Sequence, residues 1–222
     1  MPGRILPLVT GQIYHVFNRG IDRRVTFSGA KEYQRAVQTC DFYSHARPPV
    51  KLSRYLSLGQ EKQNEIISML RTKETLVSII CYCLMPNHFH LLLKQESENG
   101  ISKFLSNLQN SYTKFYNTKH NRNGPLFMDQ FKAVIIETEE QLIHVARYIH
   151  LNPFTGYVVK KLTDLESYPW SSLPTCLDPN SSATKNNLIM SYFSSKLSYK
   201  EFVFNQGDYQ RKLKRIEHLA LE

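Results

Sequence analysis

Residues 75–94 read TLVSIICYCLMPNHFHLLLK, and no other stretch narrows the fold as far. An apolar run of strand length, a Pro-Asn pair and a second apolar run predict two strands joined by a turn, a hairpin set in a well-covered sheet. Such a sheet needs a core, and a 222-residue chain with 41% apolar and 12% aromatic residues can supply one. The same hairpin places His88 and His90 one residue apart. Alternate residues of a strand point to one side, so the two imidazoles stand together on one face while Phe89 and Leu91 point to the other.

The flanking sequence alternates strand and helix signals. Residues 13–18 (IYHVFN) read as a short strand, followed by the basic loop RGIDRR. Residues 31–45 have helical composition with Tyr33, Val37 and Cys40 spaced for one face, and ARPPVK ends the helix because paired prolines cannot continue it. Residues 51–75 are polar and helix-prone, which makes 44–76 a candidate insertion or partner surface. From Ile101, the apolar positions Phe104, Leu105, Leu108, Tyr112 and Phe115 follow the spacing of an amphipathic helix, with Tyr112 inside its buried stripe. FKAVIIE reads as a further strand. TEEQ at Thr138 is a capping box, opening a helix expected to run to about Leu151 and to stop before Pro153. This order predicts an α+β fold, a mainly antiparallel sheet with helices packed on one face.

Twenty-eight Lys and Arg against nineteen Asp and Glu leave a formal charge of +9, which suits a polyanion or an anionic membrane surface. Nucleic acid is favoured, since no apolar run approaches the ~20 residues of a spanning helix and MPGRILPLVTGQ lacks a signal-peptide core. No membrane association and a cytoplasmic location are the expectations. Cys40, Cys81, Cys83 and Cys176 show no CxxC spacing, so reduced thiols are expected in place of a zinc ribbon or disulfide framework.

Two imidazoles at HxH spacing can close on one cation, or can be two hydrogen-bonded histidines on a half-exposed sheet. No further Cys or His stands at a spacing suited to structural zinc, and the leucines after His90 exclude the HxHxDH pattern of binuclear hydrolases. An open site remains, with two imidazoles, a third ligand from elsewhere and room for phosphate oxygens. On the helix beginning at Thr138, Leu142, Val145, Ala146 and Ile149 form the buried stripe. Tyr148 falls on a polar flank with Gln141, His144 and Asn152, where it is either a nucleophile or a half-buried surface tyrosine.

The ordered motifs CLMPNHFHLLL, ISKFLSNLQNSYTKFYN, GPLFMDQFKAVIIET, RYIHLNP and YPWSS, with YHVFNRG ahead of them, resemble the REP-associated tyrosine transposases, a branch of the single-tyrosine HUH transposases. The likeness runs from about Gly11 to Ser172. It implies a ferredoxin-like catalytic domain over residues 1–172, with 173–222 a linker and basic C-terminal helical extension outside the likeness. The resemblance further implies Tyr148 as nucleophile and a divalent cation, Mg²⁺ or Mn²⁺, held by His88, His90 and Asn152. Gln130 departs from the basic residue expected in MDQFKA. The implied activity is nicking and rejoining of single-stranded DNA at hairpin or palindromic elements, through a 5′-phosphotyrosine and a free 3′-hydroxyl. A domesticated hairpin-binding protein without cleavage is the alternative, and a water-using hydrolase a weaker one. Arg19, Arg23, Arg24, Lys94, Lys114 and Lys132 are the candidate phosphate contacts. The chain is expected to act as a monomer or homodimer.

Overall fold

The hairpin forms as its apolar runs predict: β2 (Val77–Met85) and β3 (His88–Gln95) pair antiparallel, with a register shift between Ile79 and Cys81. In the computed structural model, which describes residues 7–178, 180–181 and 188–212, β1 (Ile13–Arg19) pairs with β3, and β4 (Lys132–Ile136) pairs with β1. All pairs are antiparallel, giving the order β2-β3-β1-β4. With α1 (Ala30–Tyr43) between β1 and β2, and α4 (Gly100–Lys119) between β3 and β4, the chain follows the ferredoxin-like βαββαβ order. Two further helices, α2 (Leu52–Tyr55) and α3 (Gln60–Arg71), fill the α1-to-β2 connection and bury Leu52, Ile66 and Leu70.

The sheet is covered on both faces, which corrects the one-face expectation. β3 shows why: Phe89, Leu91 and Leu93 enter a core with α1 and α4, while Leu92 enters a second core under α5 (Glu139–Thr155). A strand apolar at consecutive positions needs partners on both sides. Ile101, Phe104, Leu105, Leu108 and Tyr112 are all buried in the first core, and the Tyr112 hydroxyl donates to the Thr26 carbonyl at 2.6 Å.

Helix α5 begins where the capping box predicts. The Thr138 hydroxyl accepts from the Gln141 amide at 3.1 Å, and Gln141 Oε1 accepts from the Glu137 amide at 2.9 Å. The helix does not stop before Pro153 but runs through it to Thr155. A proline in the last turn removes one intrahelical donor, and the Gly156 amide still bonds the Asn152 carbonyl at 2.8 Å.

Beyond Ser172, several described residues of the expected linker and extension pack against the rest of the fold. Ser172 and Trp170 pair with Tyr82 and Leu84 along the outer edge of β2. Beyond them α6 (Leu173–Leu177) and α7 (Lys196–Phe204) bury Leu173, Cys176, Tyr199 and Val203 against α5. A few apolar residues at the right spacing suffice here, and the surrounding Ser, Asn and Thr mask them in composition. Much of SSATKNN and, in the basic tail, residues 213–222 lie outside the described residues. None of the four cysteines is in a disulfide, and all are buried. No helix of the described residues is long and apolar enough to cross a membrane.

Candidate functional site

His88 and His90 stand side by side on the α5 face of β3, with ring centroids 5.0 Å apart and nearly perpendicular. Their ring nitrogens have distinct neighbours. His88 Nδ1 lies 2.6 Å from Asn87 Oδ1, an acceptor, so that nitrogen donates. His90 Nδ1 lies 2.9 Å from Nε2 of His15, a third imidazole on β1 that meets it edge to edge, with centroids 5.1 Å apart and planes at 24°. Burial lowers the pKa of His15 to about 4, so it is neutral near pH 7 and can accept from His90. In that tautomer both Nδ1 atoms of the pair are donors and both Nε2 atoms carry the lone pair a cation needs, the arrangement by which outer partners orient imidazole ligands.

His15 escaped the sequence reading. The alternation of YHVFN places His15 and Phe17 on one face, but their apposition to β3 depends on a strand register that a single sequence does not display.

Helix α5 crosses this face and brings Tyr148 to it. The Tyr148 ring stands edge-on to His90 at 5.5 Å and 87°, and to His15 at 5.9 Å and 73°. Tyr148 is 39% exposed, whereas Tyr112 is sealed in the first core with its phenol pKa pushed well up by burial. Asn152, one turn after Tyr148, is fully buried, and its Nδ2 donates to the Tyr148 carbonyl at 2.9 Å. An amide used this way is fixed in orientation, and its oxygen is the end with ligand chemistry.

Among the described residues no cluster of three or more His, Cys, Asp or Glu is poised to hold a metal. A cation at His88 and His90 would need a further ligand of another kind, such as an amide oxygen.

The hairpin turn that carries His88 is held from outside. Tyr112 and Tyr116 on α4 donate to the Thr26 and Val25 carbonyls, and the Thr26 and Phe27 amides donate to the Pro86 carbonyl at 2.8 and 2.9 Å. Gly20 is required in this loop, because a Cβ there would lie 2.4 Å from the Arg24 carbonyl oxygen. Exposed Arg23 and Arg24 follow, with Asn87 Nδ2 bonded to the Arg23 carbonyl at 3.2 Å.

The strand register sorts the remaining candidate cations. Arg19 is the partner of His88, and Lys132 is the partner of Phe17, itself opposite His90. Lys94 lies six residues along β3 from His88, ~20 Å at ~3.3 Å per residue, and pairs with Glu96 at 3.1 Å. Lys114 lies on α4, over the other face of the sheet, in a groove with Arg35 and Lys51. The fold thus sets Arg19 and Lys132 beside the histidine pair in register, keeps Arg23 and Arg24 in the loop that touches the hairpin turn, and leaves Lys94 and Lys114 apart.

A second histidine–tyrosine pair lies on the inner side of α5. His150 is fully buried, with Nδ1 2.6 Å from the Tyr199 hydroxyl and Nε2 2.8 Å from the Ser172 hydroxyl. Burial lowers its pKa to about 3.

The model of the family described as transposase IS200 like matches residues 53–152, a span that includes His88, His90, Tyr148 and Asn152. No protein of curated function matches the sequence. Among solved structures, the REP-associated tyrosine transposase bound to a REP hairpin superposes with a TM-score of 0.58 at 14% identity, over 88% of this chain and 96% of that one. A candidate transposase from Deinococcus radiodurans R1 reaches a TM-score of 0.36 at 15% identity, over 67% of this chain and 95% of that one. The chain thus matches the IS200-like transposase family over residues 53–152 and has the fold of the REP-associated tyrosine transposase.

Proposed function

We propose that the protein nicks and rejoins single-stranded DNA beside a hairpin, with Tyr148 as the nucleophile. What supports this reading above all is the meeting of a solvent-accessible phenol from α5 with the His88–His90 pair on the sheet, its ring 5.5 Å from that of His90. The solved relative of the same fold is bound to a REP hairpin, which makes a folded hairpin with a single-stranded flank the substrate class we infer.

Phenols ionise near pH 10, so a tyrosine nucleophile at neutral pH depends on alignment and on stabilisation of the charge it meets. A divalent cation held by His88, His90 and Asn152 would supply that stabilisation by drawing charge from the non-bridging oxygens of the scissile phosphate. The protein itself does the aligning. Helix α5 is pinned to the sheet by its buried stripe, and the hairpin turn is braced by α4, so Tyr148 and the imidazoles meet on rigid elements. Tyr148 Oη forms a bond to phosphorus as the bond to the 3′ oxygen breaks; the phenol proton leaves and the 3′ oxygen gains one. One phosphodiester replaces another, so the step is reversible and joining needs no nucleotide triphosphate.

The test is incubation of 5′-extended hairpin oligonucleotides with Mn²⁺, followed by a denaturing gel. Wild type is expected to give a covalent protein–DNA adduct and Tyr148→Phe none. No adduct from wild type leaves a hairpin-binding protein without cleavage, and strand scission that persists in Tyr148→Phe points to water as nucleophile.

A further inference from the structure

We propose that Phe17 is a stacking floor for one nucleobase of the single-stranded DNA, with Arg19 further along β1 and Lys132 across on β4 taking the flanking phosphates. The inference rests on the reading that single-stranded DNA enters beside Tyr148, and it assigns a residue that the chemistry of nicking does not itself require.

Alternation along β1 puts His15, Phe17 and Arg19 on the face that bears the histidine pair. The two residues beside Phe17 in space along the sheet are His90 on β3 and Lys132 on β4. Tyr14 and Val16, on the opposite face of β1, are buried in the first core, but Phe17 belongs to neither core and is half-buried. Its ring neighbours are instead His15 at 5.0 Å and 34°, and His90 at 5.6 Å and 33°. With His15 and His90 themselves 24° apart, the three rings form a shallowly tilted floor. Tyr148 stands on it as a wall, at 73° to His15 and 87° to His90. His15 and His90 are themselves buried, so half-buried Phe17 is the most exposed ring of the three, and its place beside an upright nucleophile suits a nucleotide, whose flat base and tetrahedral phosphate need different surfaces.

The edges of the floor agree with that occupant. Val134, 55% exposed, lies opposite His15 and extends the apolar area at the β4 edge. Arg19 and Lys132 are exposed, and among the described residues neither has a carboxylate within ion-pair distance. An aromatic face bordered by unneutralised cations is the pairing with which proteins grip single strands without reading a duplex. Strand propensity alone would be met equally by Val, Ile or Thr at position 17. A ring is what stacking adds.

The test uses the full chain carrying Tyr148→Phe, so that binding is read without cleavage, and a hairpin oligonucleotide with a 5′ single-stranded extension. In Phe17→Trp, emission should be quenched when this oligonucleotide binds and not when a blunt hairpin is added. The parent protein, whose only tryptophan is Trp170, gives the baseline. Phe17→Leu should bind roughly tenfold more weakly while Phe17→Tyr binds as the parent does. An abasic site scanned along the extension should weaken the Tyr148→Phe protein at one position and erase the Phe17→Leu penalty there. Absence of quenching, or equal binding by Phe17→Leu, overturns the proposal. If Phe17→Leu fails to fold, the abasic scan decides, and a scan with no sensitive position overturns it. The two readings fail separately: quenching without an adduct from wild type sinks nicking alone, and an adduct without quenching sinks stacking alone.

Discussion

Helix α5 carries two aromatic–histidine encounters two residues apart, and they are opposites. His150 is fully buried, and both its ring nitrogens lie within hydrogen-bond distance of side-chain hydroxyls, those of Tyr199 and Ser172. Tyr148 meets His90 and His15 edge-on, with its ring partly in solvent and an apolar and basic surface around it. The residue types are the same on both sides of the helix. What differs is exposure: the inner pair is sealed between α5 and α7, whereas the outer tyrosine is 39% exposed. Position relative to the core, and not residue identity, separates a structural histidine from a candidate ligand.

The largest effect expected is a crossed outcome between the two tyrosines. Tyr148→Phe should abolish adduct formation while unfolding with the parent, because Tyr148 is 39% exposed and belongs to neither core. Tyr199→Phe should keep the adduct yet lose about 1–3 kcal/mol in urea unfolding, since it strips His150 Nδ1 of its buried partner. If Tyr199→Phe also abolished the adduct with its fold intact, the division of α5 into a structural and a chemical side would break.

Acid sharpens the same division. An unfolded chain protonates a histidine near pH 6.5, while folded His150 resists until about pH 3 because burial penalises the charge. Between these values the unfolded state binds the extra proton, so stability is full above about pH 6.5 and falls as pH drops through the window. One such proton contributes a slope of up to ~1.4 kcal/mol per pH unit. His150→Gln, which can still donate and accept, should flatten the difference in unfolding free energy between pH 6.5 and 4 relative to the parent. Parallel curves for the two proteins would show that His150 is not the group that acid attacks.

Some of this molecule was legible in its sequence for a simple physical reason: short-range periodicity. The hairpin, the stripe of α4 and the cap and buried stripe of α5 each depend on residues within a few positions of one another, and each lies where its spacing implies. The adjacency of His88 and His90 is of that kind, and so is the placement of Tyr148 off the buried stripe. His15 and Phe17 are not, because their value arises from the register of β1 on β3 and β4, 75 residues away in the case of His15 and His90. His150 hid for another reason. Its partner Tyr199 lies in the extension beyond the family likeness and Ser172 at the last residue of that likeness, so nothing nearby announces that the imidazole is sealed.

The smallest effect expected concerns charge. If the outer side of α5 faces a DNA strand and the inner side does not, cations should matter by place and not by number. Each phosphate contact to a single strand contributes ~0.7 to the slope of log affinity against log salt. Arg19→Gln and Lys132→Gln, beside the histidine pair in register, should each flatten that slope by about this much in an anisotropy titration with a labelled 5′-extended hairpin. Lys94→Gln should leave the slope unchanged, because Lys94 is distant along β3 and already neutralised by Glu96, and so should Lys114→Gln on the far face. Equal flattening at all four positions would mean that the strand wraps the whole basic surface, and the contrast between an open and a closed side of α5 would then describe the nucleophile alone. Flattening at Arg19 and Lys132 only would confine the strand to the corner where the Tyr148 ring stands on the histidines.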